Sequence, residues 1–338
     1  MREGKQVTII GAGSWGTALG IIAGRAGHRV RLWSRNPEVV ASVNRERINS
    51  IYLAPHVVPE NVRATADLDD ALTSAEIVLL AAPSHVTREL LTRMLPSLRP
   101  EMLFVSATKG IETETAKRIS EVVREVTAEL FDPRFVCLSG PSFAREVAAG
   151  QPTAVVAASL SADDSRLVQA ALSFQNLRIY TNTDLIGTEI GGSVKNVMAV
   201  AAGIVAGLGL GTNSVAALIT RGLAEMARLA LAEGARMETL MGLAGMGDLV
   251  LTCTGDLSRN RYVGQELGRG RTLPEITGGM REVAEGIKTT LAVKRLALRL
   301  GVEMPITNEV QAVLYEGKTA REAASELMTR PLRDEFEK

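Results

Sequence analysis

Apolar positions in the first half of the chain follow two alternating rhythms. Short runs rich in Val, Ile and Leu occur at 7–10, 29–33, 77–82, 102–106, 135–138, 153–158 and 177–180. Runs of this length and composition predict buried strands, and most are separated by segments with the spacing of helices. That alternation predicts a doubly wound α/β domain. From residue 186 onward the strand pattern stops, and helical patterns follow at 212–233, 259–267, 286–300 and 307–314, after a long apolar helix around Lys195. The expected architecture is therefore an α/β domain over residues 1–185 and an all-α domain over 186–338.

The first predicted strand runs directly into Gly11-Ala12-Gly13-Ser14-Trp15-Gly16. A GxGxxG placed between a strand and a helix, inside a βαβ unit, lets backbone amides approach a dinucleotide pyrophosphate. In that context the first domain reads as Rossmann-like. An NAD-specific fold carries an acid about 20 residues beyond the glycines to hold the ribose hydroxyls. Here the second strand leads into Ser34-Arg35-Asn36, with no acid before Glu38. Arg35 suits a 2′-phosphate, so NADPH is expected to bind at least as well as NADH.

In such sheets ligands lie beyond the carboxyl ends of the strands. Lys109, placed just after a strand, would put a cation into that crevice, and Gly140 with Ser142 would open a helix whose amides could face an anion. His85 stands in a similar place, but a structural or peripheral role is the expectation for it.

The apolar helix carries the most distinctive residue. Nothing from 197 to 211 is polar, yet four of these fifteen residues are glycine and the run is shorter than the roughly 20 residues a membrane crossing needs. It predicts a buried strut with Lys195 at its head. Burial and a nearby helix N-terminus would both lower the pKa of Lys195, fitting it for proton transfer. Its alternative is an ammonium that reaches back to water. Of the 38 basic residues only eight are lysine, so a lysine here is not a default choice.

Between the later helices lie Gly242-Leu243-Ala244-Gly245-Met246-Gly247-Asp248 and, further on, Leu257-Ser258-Arg259-Asn260-Arg261. A glycine-rich turn with one carboxylate, then hydroxyl, guanidinium and amide at a helix start, suits a phosphate monoester.

Composition narrows the classes. With 338 residues, 46% hydrophobic and 38 acidic against 38 basic side chains, the chain fits a two-domain enzyme, not a nucleic-acid binder or polybasic membrane protein. Cys137 and Cys253 lack metal-ligand spacing and read as buried apolar residues in a reducing compartment. The chain opens MREGKQVTII without an apolar leader, so the cytoplasm is the expected location. Only the tail RPLRDEFEK is expected to fray.

Taken in order, GAGSWGTALG, APSHV, ATKGIE, SGPSFAREV, GGSVKNVMAVAAG, AALITRGLAEM, GLAGMGDLVLTCT, LSRNR and VAEGIKTT span residues 11–290. With this series the chain closely resembles the bacterial NAD(P)-dependent glycerol-3-phosphate dehydrogenases. The resemblance implies reversible reduction of dihydroxyacetone phosphate to sn-glycerol 3-phosphate for phospholipid synthesis, and by analogy a homodimer. It implies Lys195 as proton donor and acceptor, with Lys109 near both ligands and Asp248 orienting the lysine. Substrate contacts would come from Lys109, Gly140, Ser142, Lys195, Asp248, Ser258, Arg259 and Asn260. Cofactor contacts would come from Gly11, Gly13, Ser14, Trp15, Gly16, Arg35, Lys109, Ala144, Arg259, Val283 and Glu285. Two other readings are a lysine-dependent dehydrogenase of unphosphorylated β-hydroxy acids, against which the Ser258-Arg259-Asn260 cluster speaks, and a nucleotide sensor without turnover. Lactate- or malate-type chemistry is disfavoured because no histidine follows His85.

Overall fold

The computed structural model describes residues 4–280, 282–332 and 334–335. The first half of the sheet region comprises β1 (Gln6–Ile10), α1 (Ser14–Arg25), β2 (Arg29–Trp33), α2 (Pro37–Glu46), β3 (Val62–Thr65), α3 (Leu68–Leu72), β4 (Ile77–Leu80) and α4 (Ser84–Met94). It continues through β5 (Leu103–Ser106), α5 (Ile119–Thr127), β6 (Arg134–Ser139), α6 (Ala144–Ala148), β7 (Thr153–Ala158), α7 (Ala162–Leu172) and β8 (Leu177–Asn182). These eight strands form one sheet in the order β3-β2-β1-β4-β5-β6-β7-β8. Every neighbouring pair is parallel except β6 with β7.

β1 lies inside the sheet, where Val7 faces Val30 on one side and Ile77 on the other. Its side chains alternate between two apolar layers. Val7 and Ile9 join the layer that includes Ala18, Ile21, Val30 and Val168, whereas Ile10 joins Val78, Leu80, Leu91, Phe104 and Val122. Both faces are thus covered, as a parallel sheet requires. Strand β3 is absent from the expected set, because Val62-Arg63-Ala64-Thr65 is only four residues long and alternates buried with outward positions. The strand expected over 77–82 ends at Leu80, which leaves Ala82 and the residues after it beyond the strand's carboxyl end.

The helical half comprises α8 (Leu185–Gly207), α9 (Thr212–Ala232), α10 (Met237–Leu240), a π-helical turn (Leu243–Gly247), α11 (Asp248–Thr254), α12 (Arg259–Gly268), α13 (Leu273–Thr277), α14 (Glu285–Leu300), α15 (Pro305–Tyr315) and α16 (Ala320–Met328). Helix α8 is its axis, with every residue from 187 to 204 buried and α9, α11, α12 and α14 packed around it. Its small residues set how closely α12 approaches. A Cβ added at Gly203 would lie 2.1 Å from the Arg261 carbonyl oxygen, and one at Gly264 would lie 1.9 Å from that of Val200. Helix α8 is long and apolar enough to cross a membrane by length and composition, but it is enclosed by protein.

The expected place of Lys195 at the head of a helix does not hold. Lys195 does not sit at a helix N-terminus: α8 starts at Leu185, and the Asp184 carboxylate caps it by accepting from the Gly187 amide at 2.8 Å. Lys195 lies about three turns further in, beyond the reach of the N-terminal partial charge. Of the tail expected to fray, Arg333 and residues 336–338 lie outside the described residues, while the Glu335 carbonyl accepts from Arg221 Nη1 at 3.1 Å.

Candidate active site

Lys195 is 5% exposed and Asp248 is 0% exposed, so both charges are withdrawn from bulk water. A buried charge persists only when it is paired and hydrogen-bonded. Lys195 Nζ donates to Asp248 Oδ1 at 2.7 Å and to Thr252 Oγ1 at 2.8 Å. The other carboxylate oxygen, Oδ2, accepts from Lys109 Nζ at 2.8 Å. Lys109 also donates to the Gly140 carbonyl at 2.8 Å and to Ser142 Oγ at 3.3 Å. One carboxylate therefore joins a lysine from the sheet region to a lysine from the helical core.

Burial pushes Lys195 down to about 8, and Lys109 adds to that fall while Asp248 opposes it. Burial alone would raise Asp248, but the two ammonium groups hold it below the usual aspartate value. The expected lowering of Lys195 thus occurs through burial, without the helix end. Asp248 belongs to no open turn: it begins α11, which brings Thr252, one turn on, to the same ammonium. Thr252 was not singled out in the sequence, although the i, i+4 spacing from Asp248 was there to find it.

A second chain of hydrogen bonds ties the loop after β5 to α8, α12 and α14. Asn196 Nδ2 donates to the Lys109 carbonyl at 3.0 Å, and Asn260 Nδ2 donates to Asn196 Oδ1 at 2.9 Å. The Gly286 amide completes it by donating to Asn260 Oδ1 at 2.9 Å. Asn260, expected to touch substrate, thus has both side-chain polar atoms engaged within the protein. Asn196 went unremarked because it lies next to Lys195 in an apolar run. Ser258 is buried and caps α12, accepting from the Arg261 amide at 3.2 Å.

The glycine-rich loop follows β1. Gly11 has φ +115°, and a Cβ at Gly16 would fall 1.9 Å from the Gly11 carbonyl oxygen, so neither position admits a side chain. A Cβ at Gly13 would meet nothing within 4 Å, which leaves an open cradle in front of the loop. An anion already lies at its edge: Glu282 accepts from the Ser14 amide at 3.4 Å and pairs with Arg259 Nη1 at 3.1 Å. The loop and Arg259 therefore fit the phosphates of a dinucleotide. Trp15 and Ala144 both pack on the apolar layer beneath the loop. Trp15 Nε1 is buried without a partner among the described residues.

Val283 is exposed, and its carbonyl accepts from Arg259 Nη1 at 3.2 Å. Glu285 Oε2 accepts from Ser84 Oγ at 3.2 Å, and burial raises its pKa to about 7. Arg35 is exposed, two residues past the end of β2. Cys137 and Cys253 are both buried thiols, and burial raises the pKa of each. No cluster of three or more metal-ligating side chains occurs among the described residues.

Residues 6–165 match the model for the NAD-dependent glycerol-3-phosphate dehydrogenase N-terminus, and residues 184–325 match the model for its C-terminus. The chain belongs to the NAD-dependent glycerol-3-phosphate dehydrogenase family. It is 56% identical over 328 residues to the glycerol-3-phosphate dehydrogenase [NAD(P)+] of Koribacter versatilis, covering 96% of this chain and 97% of that protein. Identity to the Geobacter sulfurreducens enzyme of the same name is 51% over 331 residues, covering 98% and 99%. The crystal structure of glycerol-3-phosphate dehydrogenase from Coxiella burnetii superposes with a TM-score of 0.93 at 42% identity, covering 97% and 99% of the two chains. The expectations of this family, of an oxidoreductase using NAD or NADP, and of a Rossmann-like domain followed by helices are borne out.

Proposed function

We propose that this family member reversibly reduces dihydroxyacetone phosphate to sn-glycerol 3-phosphate with NADPH or NADH, supplying glycerophospholipid synthesis. Residues 1–185 hold the dinucleotide and residues 186–338 supply most contacts to the substrate. The observation that carries this reading is the carboxylate of Asp248 held between the ammonium groups of Lys195 and Lys109. Two cations around one anion leave the cleft a net positive charge, matched to a phosphorylated substrate and to oxygen gaining negative charge.

The nicotinamide cofactor, when bound, supplies the hydride. Lys195 stabilises the charge that develops on the carbonyl oxygen and delivers its proton there; in the reverse direction it takes the hydroxyl proton. A pKa near 8 leaves both forms accessible close to neutral pH. Asp248 and Thr252 fix where Nζ points, and Asp248 orients Lys109 from its other oxygen. Lys109, Gly140 and Ser142 line the same cleft. Ser258 and Arg259, with Asn260 behind them, hold the phosphate, while Arg259 turns from Glu282 towards the two ligands. Ser14, Trp15, Ala144, Val283 and Glu285 border the cofactor, and Arg35 reads its 2′-phosphate.

The test compares NADPH oxidation with dihydroxyacetone phosphate and with dihydroxyacetone. Strong preference for the phosphate ester is expected, and equal turnover of both would contradict the phosphate role. A homodimer in the cytoplasm completes the proposal by family analogy, and a monomeric mass in light scattering would remove the dimer.

A further inference from the structure

The strand order puts β2 and β4 on either side of β1, so the chain segments beyond their carboxyl ends flank the glycine-rich loop. Arg35 follows β2, and His85 is the second residue of α4, just beyond β4. A second cation comes from the helical half. The hydrogen bond from Ser84 Oγ to Glu285 holds the first turn of α14 against the first turn of α4. Lys288, three residues after Glu285, shares its face of α14, and its charge acts on His85.

We propose that the His85 imidazole and the Lys288 ammonium join the Arg35 guanidinium as a clamp for the 2′-phosphate of NADP(H), with Lys288 making its recognition depend on contact between the two halves of the chain. This rests on the reading of Arg35 given above. Burial first, and then the charges of Lys288 and Arg35, lower the pKa of His85, so its imidazole lies within the field of both cations and offers a neutral N–H donor. None of the three forms an ion pair or side-chain hydrogen bond among the described residues. Lys288 acts electrostatically on Glu285, and Ser84 occupies one oxygen of that carboxylate. Two cations and an imidazole donor, none of them held in an ion pair among the described residues, match a phosphate monoester with two charges. The ribose hydroxyl of NADH offers no charge in return. Sequence reasoning assigned His85 a peripheral role because its neighbours, brought from β2 and α14, are 50 residues before it and 203 after it in number.

The test is calorimetric binding of adenosine 2′,5′-bisphosphate and of 5′-AMP to the whole protein, comparing wild type with Arg35→Gln, His85→Gln and Lys288→Gln. Each variant is expected to weaken the bisphosphate by about three- to tenfold while 5′-AMP affinity changes by less than about twofold. Equal weakening of both ligands by the His85 and Lys288 variants would place these side chains on the adenosine and overturn the clamp. Loss of discrimination in the Arg35 variant alone would also overturn it, leaving the Arg35 reading intact. Unchanged discrimination in all three would remove that reading as well. His85→Asn repeats the measurement with a shorter amide, and retained 5′-AMP binding reports a folded site in each variant.

Discussion

Lys195 and Lys109 take opposite oxygens of the same buried carboxylate, Oδ1 and Oδ2 of Asp248, at 2.7 and 2.8 Å. One ammonium belongs to the core helix of the helical half and the other to the loop after β5, so the carboxylate is both an electrostatic counterweight and a physical link between the halves.

Asp248→Asn keeps the shape and removes the charge. Two buried ammonium groups then face one another without their anion, at a cost of about 3–5 kcal/mol for breaking a buried pair. The midpoint of thermal unfolding should fall. Because Asp248 opposes the lowering of Lys195, its loss should also move the Lys195 titration below about 8. A pH profile of residual activity checks this, and an unchanged profile would show that Asp248 does not set the Lys195 charge.

The Lys195 value gives the two directions of reaction opposite pH dependence. The protonated form serves carbonyl reduction and the neutral form serves alcohol oxidation. Reduction should therefore decline, and oxidation increase, as pH rises through about 8. Initial rates in both directions between pH 6 and 10, at saturating cofactor, measure it. Parallel profiles would argue against Lys195 as the proton carrier.

Arg259→Ala removes a guanidinium assigned to the phosphate. A charge-assisted hydrogen bond is worth about 1.5–3 kcal/mol, so kcat/KM for dihydroxyacetone phosphate should fall about ten- to a hundredfold. Since a distant phosphate can also align the carbonyl, kcat falls with it. The slower reaction of dihydroxyacetone should change far less. Equal loss on both substrates would place Arg259 elsewhere.

Much of this was legible in the chain because local pattern and global position agree in the β1-α1-β2 unit. A β-branched run, glycines at fixed offsets and a second apolar run leave little freedom. The failures have distinct physical causes. Strand β3 carries Arg63 in the middle of four residues and is defined by its pairing with β2, which no local run of side chains reports. The start of α8 was misplaced because polar and apolar residues mix from 185 to 196, whereas the true signal is the cap at Asp184. The pairing of Lys195 with Thr252, and the relay from Lys109 through Asn196 and Asn260 to Gly286, join residues brought together only by packing. Burial of Lys195 was predictable from its apolar surroundings; which carboxylate oxygen it would find was not.

The central claim is that Lys195 moves a proton as well as presenting a charge. Arginine keeps the charge but gives up a proton far less readily, and methionine keeps the approximate length without either property. The deciding measurement is kcat for dihydroxyacetone phosphate reduction in Lys195→Arg and Lys195→Met, with folding and NADPH binding followed by cofactor fluorescence. Both variants should bind NADPH and lose at least about 100-fold in kcat. Near wild-type kcat in Lys195→Arg would contradict the account and leave Lys195 as a positioning charge.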